Sequence, residues 1–174
     1  MTISYPYIPE GRSIKYVPAD NVFMKEAMRE CMEHSTDDSQ PVGSVIVTSN
    51  NIIGQGSNFA ALQSPFLKNL HEKGWCVRKI LKIKTGEKYW LCPGCGGYDM
   101  HSEARAILDV IKNGKSTVGA DLYLWGHWWC CKPCWDKMIA AGIRDVYLLE
   151  GSEVLFNPAN PANKRGRSNF SHFI

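Results

Sequence analysis

The sequence predicts an α/β protein, a three-layer α/β/α fold with a mixed central sheet of about five strands. Three observations carry this expectation. GSVIVTS (43–49), a turn at Asn50-Asn51 and IIGQG (52–56) read as a β-hairpin. DLYLW (121–125), a helical stretch and DVYLL (145–149) follow as strand, helix, strand, which implies a parallel pair with a crossover. Helical patterns precede and separate these strands, so helices should cover both faces of the sheet.

In chain order, the first 18 residues read as an arm broken by Pro6, Pro9, Gly11 and Pro18. Asp20 is placed to cap a helix whose apolar positions Met24, Ala27, Met28 and Cys31 share one face, with His34 at the surface. STDDSQP (35–41) closes it. After the hairpin, residues 60–100 mix charge, glycine and cysteine without a steady period. They are expected to be an insertion with local structure inside a single domain spanning 1–174. From His101, the residues Ala104, Ile107, Leu108 and Ile111 form a helical stripe that Asn113-Gly114 ends. Residues 134–141 suit another helix, stopped by Gly142. The proline- and polar-rich tail from Asn157, with Lys164, Arg165 and Arg167, should lie on the surface.

Composition excludes several classes. With 44% hydrophobic residues the chain can bury a core. A net charge of +3 from scattered lysines and arginines argues against a nucleic-acid surface. MTISYPYIPEGRSIKY lacks the apolar run of a signal peptide, and nothing approaches the length of a membrane span. A cytoplasmic protein with no membrane partner is expected. Seven cysteines (Cys31, Cys76, Cys92, Cys95, Cys130, Cys131 and Cys134) cannot all pair, and two C-x-x-C spacings point to metal.

His101-Ser102-Glu103 opens one expected helix, and Cys131-Lys132-Pro133-Cys134 opens the next. Ligands three apart at a helix start face the same way, and the helix N-terminus favours thiolate over thiol. One histidine and two thiolates leave a tetrahedral zinc with a free position for water. Glu103 lies two residues from the histidine, where it can move protons without ligating the metal.

H-x-E followed by C-x-x-C resembles the signature of the zinc-dependent cytidine and deoxycytidylate deaminase superfamily. PVGSVIVTSNNIIGQGSN (41–58) is similar to the family's first hairpin, and KMIAAGIRDVYLL (137–149) to the helix and strand after its second cysteine. The likeness covers roughly 130 residues, from about 20 to 150. It implies a cytidine-deaminase-like fold, a catalytic zinc held by His101, Cys131 and Cys134, and Glu103 as the proton shuttle. It also implies that Asn58 bonds the sugar or ring and that the backbone N–H of Ser102 meets the base carbonyl. The reaction would be hydrolytic deamination at a C–N bond of a cyclic amidine, as in pyrimidine nucleotide metabolism. The substrate would be a small cytosine-type nucleoside or nucleotide, with dCMP converted to dUMP as first candidate, and the protein would be a homo-oligomer. Cys130 departs from the pattern by standing where the family usually has proline, and WGHWW (125–129) replaces the usual approach to the cysteines.

Cys92-Pro93-Gly94-Cys95, with His71 and Cys76 upstream, resembles the second, structural zinc site of some deoxycytidylate deaminases. The alternative is a tight turn with buried free cysteines. Asn58 suits a plain turn as well as a substrate contact. His127, Trp128 and Trp129 suit a pocket wall, a core or an interface. Two competing functions remain: deamination of adenine or guanine, free or in RNA, and a non-catalytic zinc-stabilised binding module.

Overall fold

The computed structural model describes residues 6–37, 40–60, 62, 64–84, 87–164 and 166–170. Its strands are β1 (Ile14–Val17), β2 (Gly43–Thr48), β3 (Asn51–Ser57), β4 (Asp121–Trp125) and β5 (Val146–Leu149), in one sheet of order β1-β5-β4-β2-β3. β1 and β4 flank β5 in parallel, while β2 pairs antiparallel with both β4 and β3. The mixed sheet is therefore as expected. In the hairpin, the left-handed residues are Ser49 and Asn50, one position earlier than the expected Asn50-Asn51 turn.

One face of the sheet carries α4 (Ser102–Lys112) and α5 (Lys132–Ala140) over a core of Ile46, Leu122, Leu124 and Leu148. The other face carries α1 (Val22–His34), α6 (Ser152–Phe156) and α7 (Arg167–Phe170), packed on Val45, Val47, Tyr123 and Trp125. Strand alternation puts successive residues of β2 and β4 into opposite cores, which is why both strands read as continuous apolar runs. Between β3 and α4 lies a segment holding α2 (Pro65–Glu72), α3 (Val77–Ile80) and two 3-10 turns, Tyr89–Leu91 and Tyr98–Met100. Among the described residues no helix is long and apolar enough to cross a membrane.

Four expectations are corrected. The N-terminal arm contains a strand, β1, clamped by Arg12 Nη1 on the carbonyls of Ile143 and Arg144 (2.9 Å each) and by Lys15 on Asp145 (2.8 Å). Its sequence IKYV is too short to show a period. Asn21, not Asp20, caps α1, its Oδ1 accepting from the N–H groups of Phe23 and Met24 at 3.1 Å each. The buried face of α4 is Ser102, Glu103, Ala106, Ile107 and Val110, whereas Leu108 and Ile111 are 48% and 59% exposed. The inward stripe begins with two polar residues, so it did not read as the core face. Finally, the tail is not wholly superficial. Phe170 is fully buried, and with Phe156 it packs edge-on to Trp125 at centroid distances of 5.6 and 5.4 Å. A lone phenylalanine in polar sequence carries no periodic signal.

α4 lies directly on β3 because Gly54 and Gly56 have no side chains. A Cβ on Gly56 would overlap the backbone of Arg105 and Ala106, and one on Gly54 would overlap Val110. Gly56→Ala should therefore lower the unfolding free energy by about 1–3 kcal/mol through overpacking. Phe170→Ala should lower it by about 3–5 kcal/mol through a core cavity. Denaturant titration of both variants checks these values, and a Phe170→Ala protein as stable as the parent would remove the tail from the core.

Candidate active site

β4 ends at Trp125, and Gly126 (φ +91°) turns the chain across the end of the sheet toward α5. This turn and the close seating of α4 bring two helix starts together. His101 occupies the N-cap of α4 and Cys131 that of α5. His101 Nδ1 lies 3.6 Å from Cys131 Sγ and 3.4 Å from Cys134 Sγ. A tetrahedral ion at ordinary Zn–S and Zn–N bond lengths sets sulfur and nitrogen ligands roughly 3.5 Å apart, so the donor set fits zinc.

The local electrostatics suit a metal. The hydrogen bond with Cys134 draws the Cys131 thiol down to about 6, against the effect of burial and helped by His101. The same bond, followed by burial, pushes Cys134 well up. For His101, burial pulls down, but Cys131 and the charge of Glu103 outweigh it, and the net shift is upward. The cysteines share a proton that a divalent ion would displace. Tyr89 and Tyr98 hold the His101 ring by edge contacts at 5.2 and 5.8 Å.

Glu103 is buried beside this group, and its Oε2 accepts from the Ser102 hydroxyl at 3.2 Å. Ser44 donates to Ser102 Oγ at 2.8 Å, so the serine is fixed from the sheet side. The N–H groups of the first turn of α4, Ser102 among them, have no partner within the helix. Cys130 sits in the core with its thiol pushed well up, by burial first and then by Glu103. It belongs to neither metal-competent group among the described residues.

A pocket open to solvent leads to these residues, lined by Asn58, Phe59, Tyr89, Glu103, His127 and Trp129 among others. Of the HWW run, His127 and Trp129 reach it, while Trp128 stacks on the His127 ring at 4.6 Å. Burial, then the charge of His101, holds His127 neutral at about 3. Its Nδ1 accepts from the N–H groups of Trp128 (3.1 Å) and Trp129 (3.3 Å), so the ring proton sits on Nε2 and makes that atom a donor.

Asn58 is largely engaged by its own loop. Its Oδ1 accepts from Ser35 Oγ (2.6 Å) and Val42 N (2.9 Å), and its Nδ2 donates to Gln40 O (2.9 Å). One amide hydrogen remains for a ligand. The side chain therefore ties β3's exit to the loop after α1 as much as it lines the pocket.

The second expected group also converges. His71, Cys76, Cys92 and Cys95 place their donor atoms within 4.8 Å of one another. Cys76 Sγ lies 3.9 Å from Cys92 Sγ and 3.5 Å from Cys95 Sγ, and His71 Nε2 lies 3.5 Å from Cys95 Sγ. Tetrahedral zinc would separate two sulfurs by roughly 3.8 Å, so this closed four-donor set fits as well. Gly94 is required there, since a Cβ would overlap the His71 ring. Cys95 also lines the pocket, so the two groups share a wall. Tyr89, Phe59 and Arg78 are site residues that no motif or period marks; only proximity to Asn58 and to the cysteines hints at them.

The family profile for the cytidine and deoxycytidylate deaminase zinc-binding region matches residues 18–150. Among solved structures, the chain is similar to apo dCMP deaminase from the cyanophage S-TIM5, with 20% identity, a TM-score of 0.47, and 72% of this chain and 78% of that chain covered. It is similar to a tRNA:A34 deaminase at 21% identity and a TM-score of 0.43, covering 73% and 75%. A guanine deaminase from Bacillus subtilis gives 19% and 0.43, covering 72% and 60%. No curated protein matches the chain.

Metal analysis of the zinc-loaded protein should find both groups filled. Cys134→Ser should remove one equivalent and Cys92→Ser the other, with the double variant losing both. Retention of full metal by either single variant would exclude that group as a ligand set.

Proposed function

The chain belongs to the cytidine and deoxycytidylate deaminase family, and from that premise we propose that it hydrolyses the exocyclic amine of a cytosine-type nucleoside or nucleotide. The observation that supports this best is the placement of Glu103, buried beside the His101–Cys131–Cys134 donors at the floor of one pocket. In this reading those three residues hold the catalytic zinc, and His71, Cys76, Cys92 and Cys95 hold a structural one. Bound at the first site, zinc supplies Lewis acidity, the means of making water nucleophilic at neutral pH.

The remaining steps belong to the protein. Glu103 takes a proton from the attacking water as its oxygen bonds to the amine-bearing carbon. It passes that proton to the ring nitrogen, then takes the remaining hydroxyl proton and gives it to the departing amine; the C–N bond breaks, and ammonia leaves a carbonyl behind. The Ser102 hydroxyl steadies one carboxylate oxygen of Glu103. The backbone N–H of Ser102 is the donor proposed for the base carbonyl, and the spare amide hydrogen of Asn58 for the sugar or ring. His127 Nε2–H and the faces of Phe59 and Trp129 complete the walls around a flat heterocycle.

The described pocket lining includes Asp37 and Glu103 but no lysine or arginine. A 5′-phosphate would have to be met at the mouth, and the substrate test must separate nucleotide from nucleoside. We read residues 1–174 as one such domain with an insertion at about 60–100, cytoplasmic and homo-oligomeric.

Incubation of the zinc-loaded protein with dCMP, dCTP, deoxycytidine, cytidine and cytosine should release ammonia and the matching uracil product from at least one, with dCMP tried first. Silence on all five would rule out the cytosine assignment. Glu103→Gln should lower kcat by about 10²- to 10⁴-fold while metal content stays unchanged. Activity that survives this exchange would remove Glu103 from the proton path.

A further inference from the structure

We propose that Arg78 is the counter-ion of the metal–thiolate group at His71, Cys76, Cys92 and Cys95, and that by stacking on Tyr89 it fixes one wall of the deaminase pocket. The inference rests on the reading of that group as a second metal site. Arg78 is only 8% exposed, although it follows Cys76 by two residues in a segment rich in exposed lysine. A guanidinium stays charged at any working pH, and burying it without an anion is strongly unfavourable.

None of the ion pairs among the described residues includes Arg78. Its Nε donates to the Glu87 carbonyl and its Nη2 to the Lys84 carbonyl, both at 2.9 Å. These are dipoles and leave the charge unbalanced. The remaining contact is Nη1 to Cys95 Sγ at 3.6 Å. Three thiolates and a neutral imidazole around a divalent ion leave one net negative charge, which is what the buried guanidinium lacks. The residue composition of the cluster thus accounts for the cation beside it.

The central carbon of the same guanidinium lies over the Tyr89 ring, 3.9 Å from its centre. Tyr89 in turn lines the pocket and meets the His101 ring edge-on at 5.2 Å. Cys95, Arg78, Tyr89 and His101 form one contiguous chain of contacts. Arg78 is therefore a positioning residue. Its charge serves the metal group, and its planar face serves the pocket, so two substitutions can separate the roles. Lysine keeps the charge and loses the stacking plane; methionine loses both.

The test uses the full-length, zinc-loaded protein with two readouts: zinc retained against a graded chelator challenge, and KM and kcat on the best substrate. Arg78→Met should lose the second zinc equivalent at about tenfold lower chelator concentration than the parent. Arg78→Lys should restore most of that resistance. Both should raise KM by about five- to tenfold with a smaller change in kcat. Tyr89→Leu should raise KM alike while both zinc equivalents stay. Should Arg78→Met not be recovered folded, Arg78→Lys and Tyr89→Leu still decide the pocket half, and the chelator resistance of Arg78→Lys relative to the parent decides the counter-ion half. Unaltered zinc retention in Arg78→Met, or loss of the second zinc as readily from Arg78→Lys as from an ablated cysteine ligand, overturns the counter-ion role. Unaltered KM in Arg78→Lys and Tyr89→Leu overturns the positioning role. A parent protein that holds a single zinc equivalent would instead overturn the second-site reading itself, and this inference with it, while leaving the deaminase assignment standing.

Discussion

The seating of α4 on β3 is the constraint on which the site depends. Backbone meets backbone at Gly54 and Gly56, so the helix sits closer to the sheet than any side chain would permit. That proximity puts His101 and Glu103 at the end of the sheet where β4 delivers Cys131 and Cys134. A helix raised by even one methyl group would carry the histidine away from sulfurs that now lie 3.4 to 3.6 Å from its Nδ1. Metal geometry tolerates little of this, because bond lengths are fixed to within a few tenths of an ångström. The strand glycines, remote from the chemistry in sequence, are thus part of its geometry.

A second consequence of the architecture is that the pocket is assembled from two kinds of material. Its floor and one side come from the sheet ends and helix starts, whose positions are set by the two apolar cores. Its other side comes from the 64–100 segment, whose large apolar residues Phe66, Trp75 and Trp90 are about 70% exposed. Such a segment gains little from hydrophobic burial, so polar and metal-competent contacts must order it. Cys95 belongs to both regions, and substitutions in this segment therefore act directly on the pocket wall.

The sequence made the reactive floor legible and the walls obscure. H-x-E and C-x-x-C are short motifs whose meaning lies in local spacing, and a helix start holds its first residues in a known direction. The same holds for the hairpin, for α1 with its buried Met24, Ala27, Met28 and Cys31, and for β4 and β5. What could not be read depends on long-range contacts. The inward face of α4 is obscure in the sequence because it begins with the polar Ser102 and Glu103, while Leu108 and Ile111 look like core and are exposed. Asn58 stands where a substrate contact is expected, yet only the folded loop reveals its bonds to Ser35, Gln40 and Val42. Arg78 reads as one more basic residue until the fold closes over it.

The edge strand β1 has a consequence for how the protein is made. Ile14–Val17 pairs with Val146–Leu149, and Arg12 bonds carbonyls 131 and 132 positions further along. Contacts so distant in sequence form late, because the loop between them must first be closed. During synthesis the amino-terminal strand therefore emerges from the ribosome long before its partner exists. Its two exposed residues, Lys15 and Tyr16, keep that waiting segment from being wholly apolar. A strand made well before its partner becomes one of the last to dock, and it covers an edge of β5 that the rest of the sheet leaves open until then.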